Sequence, residues 1–303
     1  MSSEKKVTVS LVLGSGGARG LAHIGVIYEL ERAGYEIKSI SGCSIGALIG
    51  GVYAAGKLED FERWICAITK MDMITLLDIS LGNGGLVKGD KIINTLVELV
   101  GDKKIEDLPI PFTAIAADVK NEKEVWINSG RLFDAIRASI SLPLFFTPVK
   151  YNNTYLVDGG VLNPVPIAPT FTDNTDITIA VNLGGPVDIT AAIVKATTAE
   201  LTIDSEPKSE SMHESVTNFI SRLKAATSYK VGGLGAYNVA DEAFDAMQST
   251  IARLKLAAYP PDITIEIARN TCGTLEFELA SQMIELGRIK TRECLGKVKT
   301  NVG

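Results

Sequence analysis

A serine with glycine two positions to either side, Gly42-Cys43-Ser44-Ile45-Gly46, follows a short apolar segment and precedes a run of small apolar residues. Strand, serine, helix is the order a nucleophile elbow needs. The turn is so tight that side chains two before and two after the serine would clash, and it lifts the hydroxyl to a helix N-terminus. Backbone N–H groups and the helix dipole there favour a developing oxyanion. The same residues also suit an ordinary glycine-rich turn with a capping serine, so the pattern alone leaves both readings open. Cys43 is a poorer nucleophile candidate, because alternation along the strand directs its side chain away from that of Ser44.

A second glycine-rich stretch, Gly14-Ser15-Gly16-Gly17-Ala18-Arg19-Gly20, also lies between an apolar segment and a helical pattern. Successive glycines let backbone N–H groups converge on one point as an anion nest. A dinucleotide fingerprint would need glycine where Arg19 stands, and a phosphate-binding P-loop would need a Gly-Lys-Ser/Thr ending that is missing. With a serine elbow next along the chain, an oxyanion hole is the stronger reading. Arg19 then either fixes the loop through an ion pair or meets a phosphate head group.

A serine nucleophile needs a base. The chain has two histidines. His23 lies inside the first helical pattern and reads as a packing or capping residue, and His213 lies in a polar stretch that would hold it poorly within reach of a serine oxygen. Asp158 remains, at the end of the apolar run Tyr155-Leu156-Val157 and before Gly159-Gly160. Taken without context, such an aspartate is a turn residue bonded to its own backbone. The four cysteines lack CxxC spacing, and with two histidines they indicate neither a disulfide framework nor a metal site; no cofactor is expected.

The elements that must position these residues alternate. Strands are predicted over Val7–Leu13, Ile37–Ser41, Phe112–Ala117, Glu124–Ile127, Thr154–Val157, Ile177–Val181 and Ile263–Ile267. Helices are predicted over Leu21–Leu30, Ile45–Ala55, Phe61–Lys70, Lys91–Val100 with Asp90 as N-cap, Leu132–Ser139, and around Val216–Ser228, Ala240–Ala258 and Leu275–Leu295. This is an α/β pattern with a largely parallel sheet. We expect one domain over 1–303: a motif-bearing core at about 7–185, a polar loop or lid at about 186–215, and a helical part at about 216–303.

Composition narrows the partners. Thirty Lys and Arg against 36 Asp and Glu give a net charge of −6 with no strong basic cluster, which argues against nucleic acid. The longest weakly polar stretch, Ile45–Gly56, is about a dozen residues, short of the roughly 20 a spanning helix needs. Peripheral membrane contact stays open. The N-terminal apolar run reads as a buried strand rather than a signal sequence, so a cytoplasmic location is expected.

In these motifs and their order the sequence closely resembles the patatin-like phospholipases, in particular bacterial members related to the neuropathy target esterase catalytic domain. The resemblance covers about Val7–Ile167 and includes GSGGARG with LAHIGVI, the elbow GCSIG, AIRASISLPLFFTPV at Ala135–Val149, and LVDGGVLNPVPI at Leu156–Ile167. It implies a three-layer α/β/α fold and a Ser–Asp dyad on Ser44 and Asp158, with Gly42 and Gly46 in the elbow and Gly159 and Gly160 after the aspartate. The oxyanion hole would use the backbone around Gly16, Gly17 and Ala18, beside Arg19. Two positions depart from the family pattern: Ser15 replaces the first glycine of GGGxRG, and Leu144 stands where glycine often follows the proline.

The expected activity is therefore hydrolysis of fatty acyl esters of phospholipids or lysophospholipids through an acyl-enzyme. Acyl transfer on the same dyad, or lipid or anion binding without catalysis, are the alternatives. Leu142, Leu144, Phe145 and Phe146 form a bulky apolar segment suited to an acyl pocket. Low basicity favours single-chain esters over diacyl lipid in vesicles.

Overall fold

The computed structural model describes residues 6–76, 87–188 and 236–301. The expected lid at 186–215, the helix around 216–228 and His213 fall largely or wholly outside them. Among the described residues eight strands form one sheet: β1 (Thr8–Leu13), β2 (Glu36–Cys43), β3 (Phe112–Asp118), β4 (Lys123–Ile127), β5 (Val149–Tyr151), β6 (Thr154–Asp158), β7 (Ile177–Gly185) and β8 (Ile263–Ala268). The order is β5-β6-β3-β2-β1-β7-β8, with β4 paired to β3. Its centre, β3-β2-β1-β7-β8, is parallel throughout, and β4, β5 and β6 add antiparallel pairs at one side.

Alternation along the central strands divides their side chains between two cores. Val9, Leu11 and Leu13 of β1, with Ile179 and Val181 of β7, join the large core, which includes Leu21, Ile24, Ile27, Ile49 and Ile284. These come from the turn Gly17–Leu21 and from helices α1 (Ala22–Arg32), α2 (Ile45–Ala54) and the C-terminal helix α8 (Ala280–Asn301). Val12 and Ala180 point the other way, to a smaller core with Val165, Ile167 and Ala252 of helix α7 (Ala236–Ala258). Helices thus cover both faces, and the layers are α/β/α. Close backbone approach sets α8 on α1: a Cβ on Gly25 would lie 1.8 Å from the Ile284 carbonyl oxygen, and one on Gly287 2.0 Å from that of Ala22.

Several boundaries differ from expectation, each for a local reason. The helix expected at 61–70 is two helices, α3 (Leu58–Ala67) and α4 (Lys70–Leu76). Ile68 is extended between them, and Thr69 and Asp72 cap α4 reciprocally. Helix α5 (Asp90–Val100) is capped by Gly89 at φ 76°, so Asp90 is its first residue and not its cap. Strand β5 was not expected. It pairs with β6 through a two-residue turn at Asn152 and Asn153, both at positive φ, as tight hairpins require. No helix among the described residues is long and apolar enough to cross a membrane.

Candidate active site

The edge of β3 explains why two residues far apart in sequence meet. Strand β2 runs parallel to β3 and pairs with it up to Cys43 opposite Ile115. Strand β6 runs antiparallel along the same edge and ends with Asp158 opposite Ala116. The C-terminal ends of β2 and β6 therefore meet head-on at consecutive β3 residues. The next residue after β2 is Ser44, and its Oγ donates a hydrogen bond to Oδ2 of Asp158.

Ser44 has φ 55° and ψ −121°, a left-handed conformation that costs a non-glycine residue on the order of 1–3 kcal/mol. Its surroundings hold it there. A Cβ on Gly42 would sit 2.5 Å from the Gly46 oxygen, and one on Gly46 2.1 Å from the Leu13 oxygen, so the elbow is pressed onto the end of β1. The Ser44 N–H donates to Ser139 Oγ at 2.9 Å, and the Ser139 hydroxyl donates to the Ile115 carbonyl. Ser141, two residues on, accepts the Asp158 N–H at 2.9 Å. The end of helix α6 (Leu132–Ser139) and the two residues beyond it thus hold both partners. Neither Ser139 nor Ser141 has a role in the sequence reading; the one signal is a small polar residue on a helix face that is otherwise apolar.

Asp158 is 1% exposed. Its Oδ1 accepts the Gly160 N–H at 2.7 Å. Burial pushes the carboxyl up from its ordinary value to about 6, against the pull of the bonds from Ser44 and Gly160. The carboxylate is thereby a stronger base than a solvated aspartate, while still ionised at neutral pH. Cys43 Sγ lies 4.0 Å from Oδ1, buried behind the carboxylate. Burial first, and the Asp158 charge second, raise its thiol well above the usual range, so it stays protonated and is a poor nucleophile.

The glycine-rich loop packs beside the elbow: a Cβ on Gly20 would fall 2.1 Å from the Ile45 side chain. Among the described residues nothing accepts the N–H of Gly16 or of Gly17. The Ala18 N–H, expected among the oxyanion donors, instead donates to the Thr274 carbonyl at 2.9 Å. Arg19 is turned inward and 4% exposed. Its guanidinium donates to both Asp245 carboxylate oxygens and to the carbonyls of Arg269 and Cys272. Of the two roles open to Arg19, this geometry supplies the ion pair that fixes the loop.

His23 is fully buried, with Nε2 2.9 Å from the Gly14 carbonyl oxygen. Burial lowers it to about 4, so the neutral ring must carry its proton on Nε2. It braces the start of the loop, and no histidine among the described residues bonds to Ser44 or Asp158. Nor do any three His, Cys, Asp or Glu side chains among them gather as metal ligands.

The apolar segment at 142–146 is partly open. Leu144 is 76% exposed at φ 67°, Leu142 and Phe145 are half-buried, and Phe146 lies edge-on to Phe145 and under the Arg137 guanidinium. A cavity of about 420 Å3 lies elsewhere, beside Gly160, lined by Val161 and by Phe244, Met247, Gln248 and Ile251 of α7. That wall had no sequence signal, because α7 carries no motif and reads only as an amphipathic helix.

Residues 11–171 match the sequence model described as patatin-like phospholipase, more than half of the chain. An uncharacterized NTE family protein of Mycobacterium tuberculosis is 37% identical over a 327-residue alignment covering 95% of this chain and 91% of that protein. Lysophospholipase nte1 of Emericella nidulans is 32% identical over 190 residues, 60% of this chain and 12% of that much longer protein. A Lysophospholipase NTE1 of Yarrowia lipolytica is 30% identical over 190 residues, again 60% of this chain. The chain therefore belongs to the patatin-like phospholipase family, as a lipid hydrolase related to the NTE proteins.

Proposed function

We propose that the protein hydrolyses fatty acyl esters of lysophospholipids and similar single-chain lipids through an acyl-enzyme on Ser44, with Asp158 as the sole proton carrier. The observation that carries this reading is the hydrogen bond from Ser44 Oγ to a buried carboxylate, where a histidine would otherwise stand. Asp158 Oδ2 takes the hydroxyl proton as Oγ attacks the ester carbonyl carbon. The carbonyl π electrons move to oxygen, which the N–H groups of Gly16 and Gly17 stabilise. Collapse of the tetrahedral intermediate breaks the bond to the leaving oxygen, which receives the proton from Asp158. Water then attacks the acyl-enzyme and gives its proton to Asp158. On the second collapse the fatty acid leaves, and Ser44 Oγ recovers that proton.

The cavity beside Gly160 supplies an apolar place for the acyl chain. Each methylene buried contributes about 0.8 kcal/mol, so kcat/KM rises with chain length until the cavity is filled.

A fluorophosphonate probe with mapping of the labelled peptide tests the chemistry, and a chain-length series of lysophospholipids with matched diacyl lipids tests the substrate. The expected results are labelling at Ser44, a rise and then a plateau with acyl length, and slower turnover of diacyl lipid in vesicles. Labelling elsewhere, or rates indifferent to chain length, would overturn the reading.

A further inference from the structure

Gly14 and Ser15 are held through their backbones, the first N–H donating to Val181 O at 3.1 Å and the second to Pro164 O at 2.8 Å. The next N–H tied down is that of Ala18. Between these points lie Gly16 and Gly17, packed against Leu183 and Thr274 but with no side chain or N–H bond of their own to hold them. The side chain of the loop next to them that can be held by a hydrogen bond is Ser15.

Ser15 is gripped. Gln248 of α7 is buried, and its Nε2 donates to Ser15 Oγ at 3.2 Å. Helix α7 is fixed on both sides of this contact, by Asp245 to Arg19 and by Lys255 to Glu124, pairs at 2.8 and 2.6 Å. The same amide lies near the dyad. The position a Cβ on Gly160 would take is 2.1 Å from Gln248 Nε2, 2.8 Å from Ser15 Oγ and 3.0 Å from Asp158 Oδ1. Gln248 Nε2 and Asp158 Oδ1, both that close to one point, are thus separated by at most about 5.1 Å. Glycine at position 160 is what leaves space for the amide.

We propose that Gln248 is a positioning residue: through Ser15 it holds the Gly16 and Gly17 N–H groups in register with the Ser44–Asp158 pair. This builds on the hydrolytic reading above. A group that only aims oxyanion donors acts on the transition state and not on the bound substrate, so its loss lowers kcat and leaves KM unchanged. A merely structural residue would instead lower the melting temperature or the active fraction.

The test uses the full chain with p-nitrophenyl butyrate, measuring kcat, KM and thermal unfolding for Gln248→Met, Ser15→Ala and the double variant. Removing an oxyanion donor outright costs about a hundred- to a thousandfold, so loosening the loop is expected to cost about ten- to a hundredfold in kcat. In Ser15→Ala, whose side chain lies outside the cavity lining, KM and the unfolding midpoint should stay near wild type. The double variant should be no slower than the slower single one, because both remove the same contact. Should Gln248→Met fail to fold, Ser15→Ala, which deletes one oxygen, carries the same prediction. Wild-type rates in either single variant, a loss confined to KM, or losses that multiply in the double variant would overturn the proposal. Wild-type enzyme without turnover and without labelling at Ser44 would overturn the hydrolytic reading itself, and this inference with it.

Discussion

The segment from β1 to β6 and the segment from α7 to α8 contribute to the same sheet and touch the same loop, but by different means. In the first, the groups proposed to do chemistry sit at or just past strand ends, on or within two residues of glycine, and the glycines are needed because backbone lies against backbone. A Cβ on Gly46 or Gly159 would strike a carbonyl oxygen, at 2.1 and 2.3 Å. In the second, contacts come from side chains of α7 and from carbonyls before α8: Asp245 and the Arg269 and Cys272 carbonyls on Arg19, Gln248 on Ser15, and Thr274 O on Ala18 N–H. Reacting atoms are fixed by backbone geometry, which tolerates little. Their surroundings are fixed by side-chain contacts that a related chain can rebuild.

The largest expected effect lies wholly in the first segment. Ser44→Ala and Asp158→Asn should each lower kcat/KM by about 10^4-fold or more. Asp158→Asn should also stabilise the fold. The folded carboxyl titrates near 6 and the unfolded one near 3.8, so the native state binds more protons between those values, and stability falls as pH rises through that window. Above pH 6 the ionised, buried group costs about 3 kcal/mol, and denaturation at pH 8 should recover about 1–3 kcal/mol of it in the asparagine variant. An asparagine variant that remains active would break the comparison at its root.

In the proposed mechanism the same carboxyl sets the pH dependence. If Asp158 accepts the proton it must be ionised, so kcat/KM should be flat above about pH 6 and fall tenfold per pH unit below it, as read from a pH-rate profile on a soluble ester. A limb near pH 4 would mean that the carboxylate is better solvated than its burial implies.

In the second segment, Asp245→Asn leaves the buried Arg19 guanidinium without its counter-charge. The expected result is a loss of about 2–4 kcal/mol in stability by urea denaturation, with kcat in the folded fraction lowered no further than in the Gln248 and Ser15 variants. A larger loss of kcat in the folded fraction would place this ion pair closer to the chemistry than its contacts imply. The smallest effects expected are those of His23→Gln and of chelator treatment, each within about threefold of wild type in steady-state assays. Glutamine can still donate to the Gly14 carbonyl, and the proton path uses no imidazole. A hundredfold loss for either would require a different base or a different oxyanion stabiliser.

How much of this was readable beforehand divides along the same line. The glycine spacing around Ser44 is readable because only a residue without Cβ fits two positions from an elbow serine, and the loop before α1 is readable for a like reason. Ser139 was not, since a buried serine that accepts an N–H looks in sequence like any small residue on a helix face. Strand β5 was missed because three residues before an Asn-Asn turn give too short a pattern to stand out. The dense apolar residues at Leu142–Phe146 suggest an acyl wall there, and a cavity lined by α7 lies at another place that carries no sequence signal. Hydrophobicity marks what avoids water but not which neighbours it finds.

Local rules about backbone conformation and side-chain periodicity make the alternating α/β elements, the elbow, the glycine loop and the aspartate before Gly159-Gly160 legible in the chain. Long-range packing makes β2 and β6 end against consecutive residues of β3, buries Asp158 enough to titrate near 6, turns the Ala18 N–H to Thr274, and brings α7 onto the glycine loop through Asp245 and Gln248. These depend on which segments lie side by side, and burial, dielectric and hydrogen-bond partners are properties of that neighbourhood rather than of any one stretch of chain.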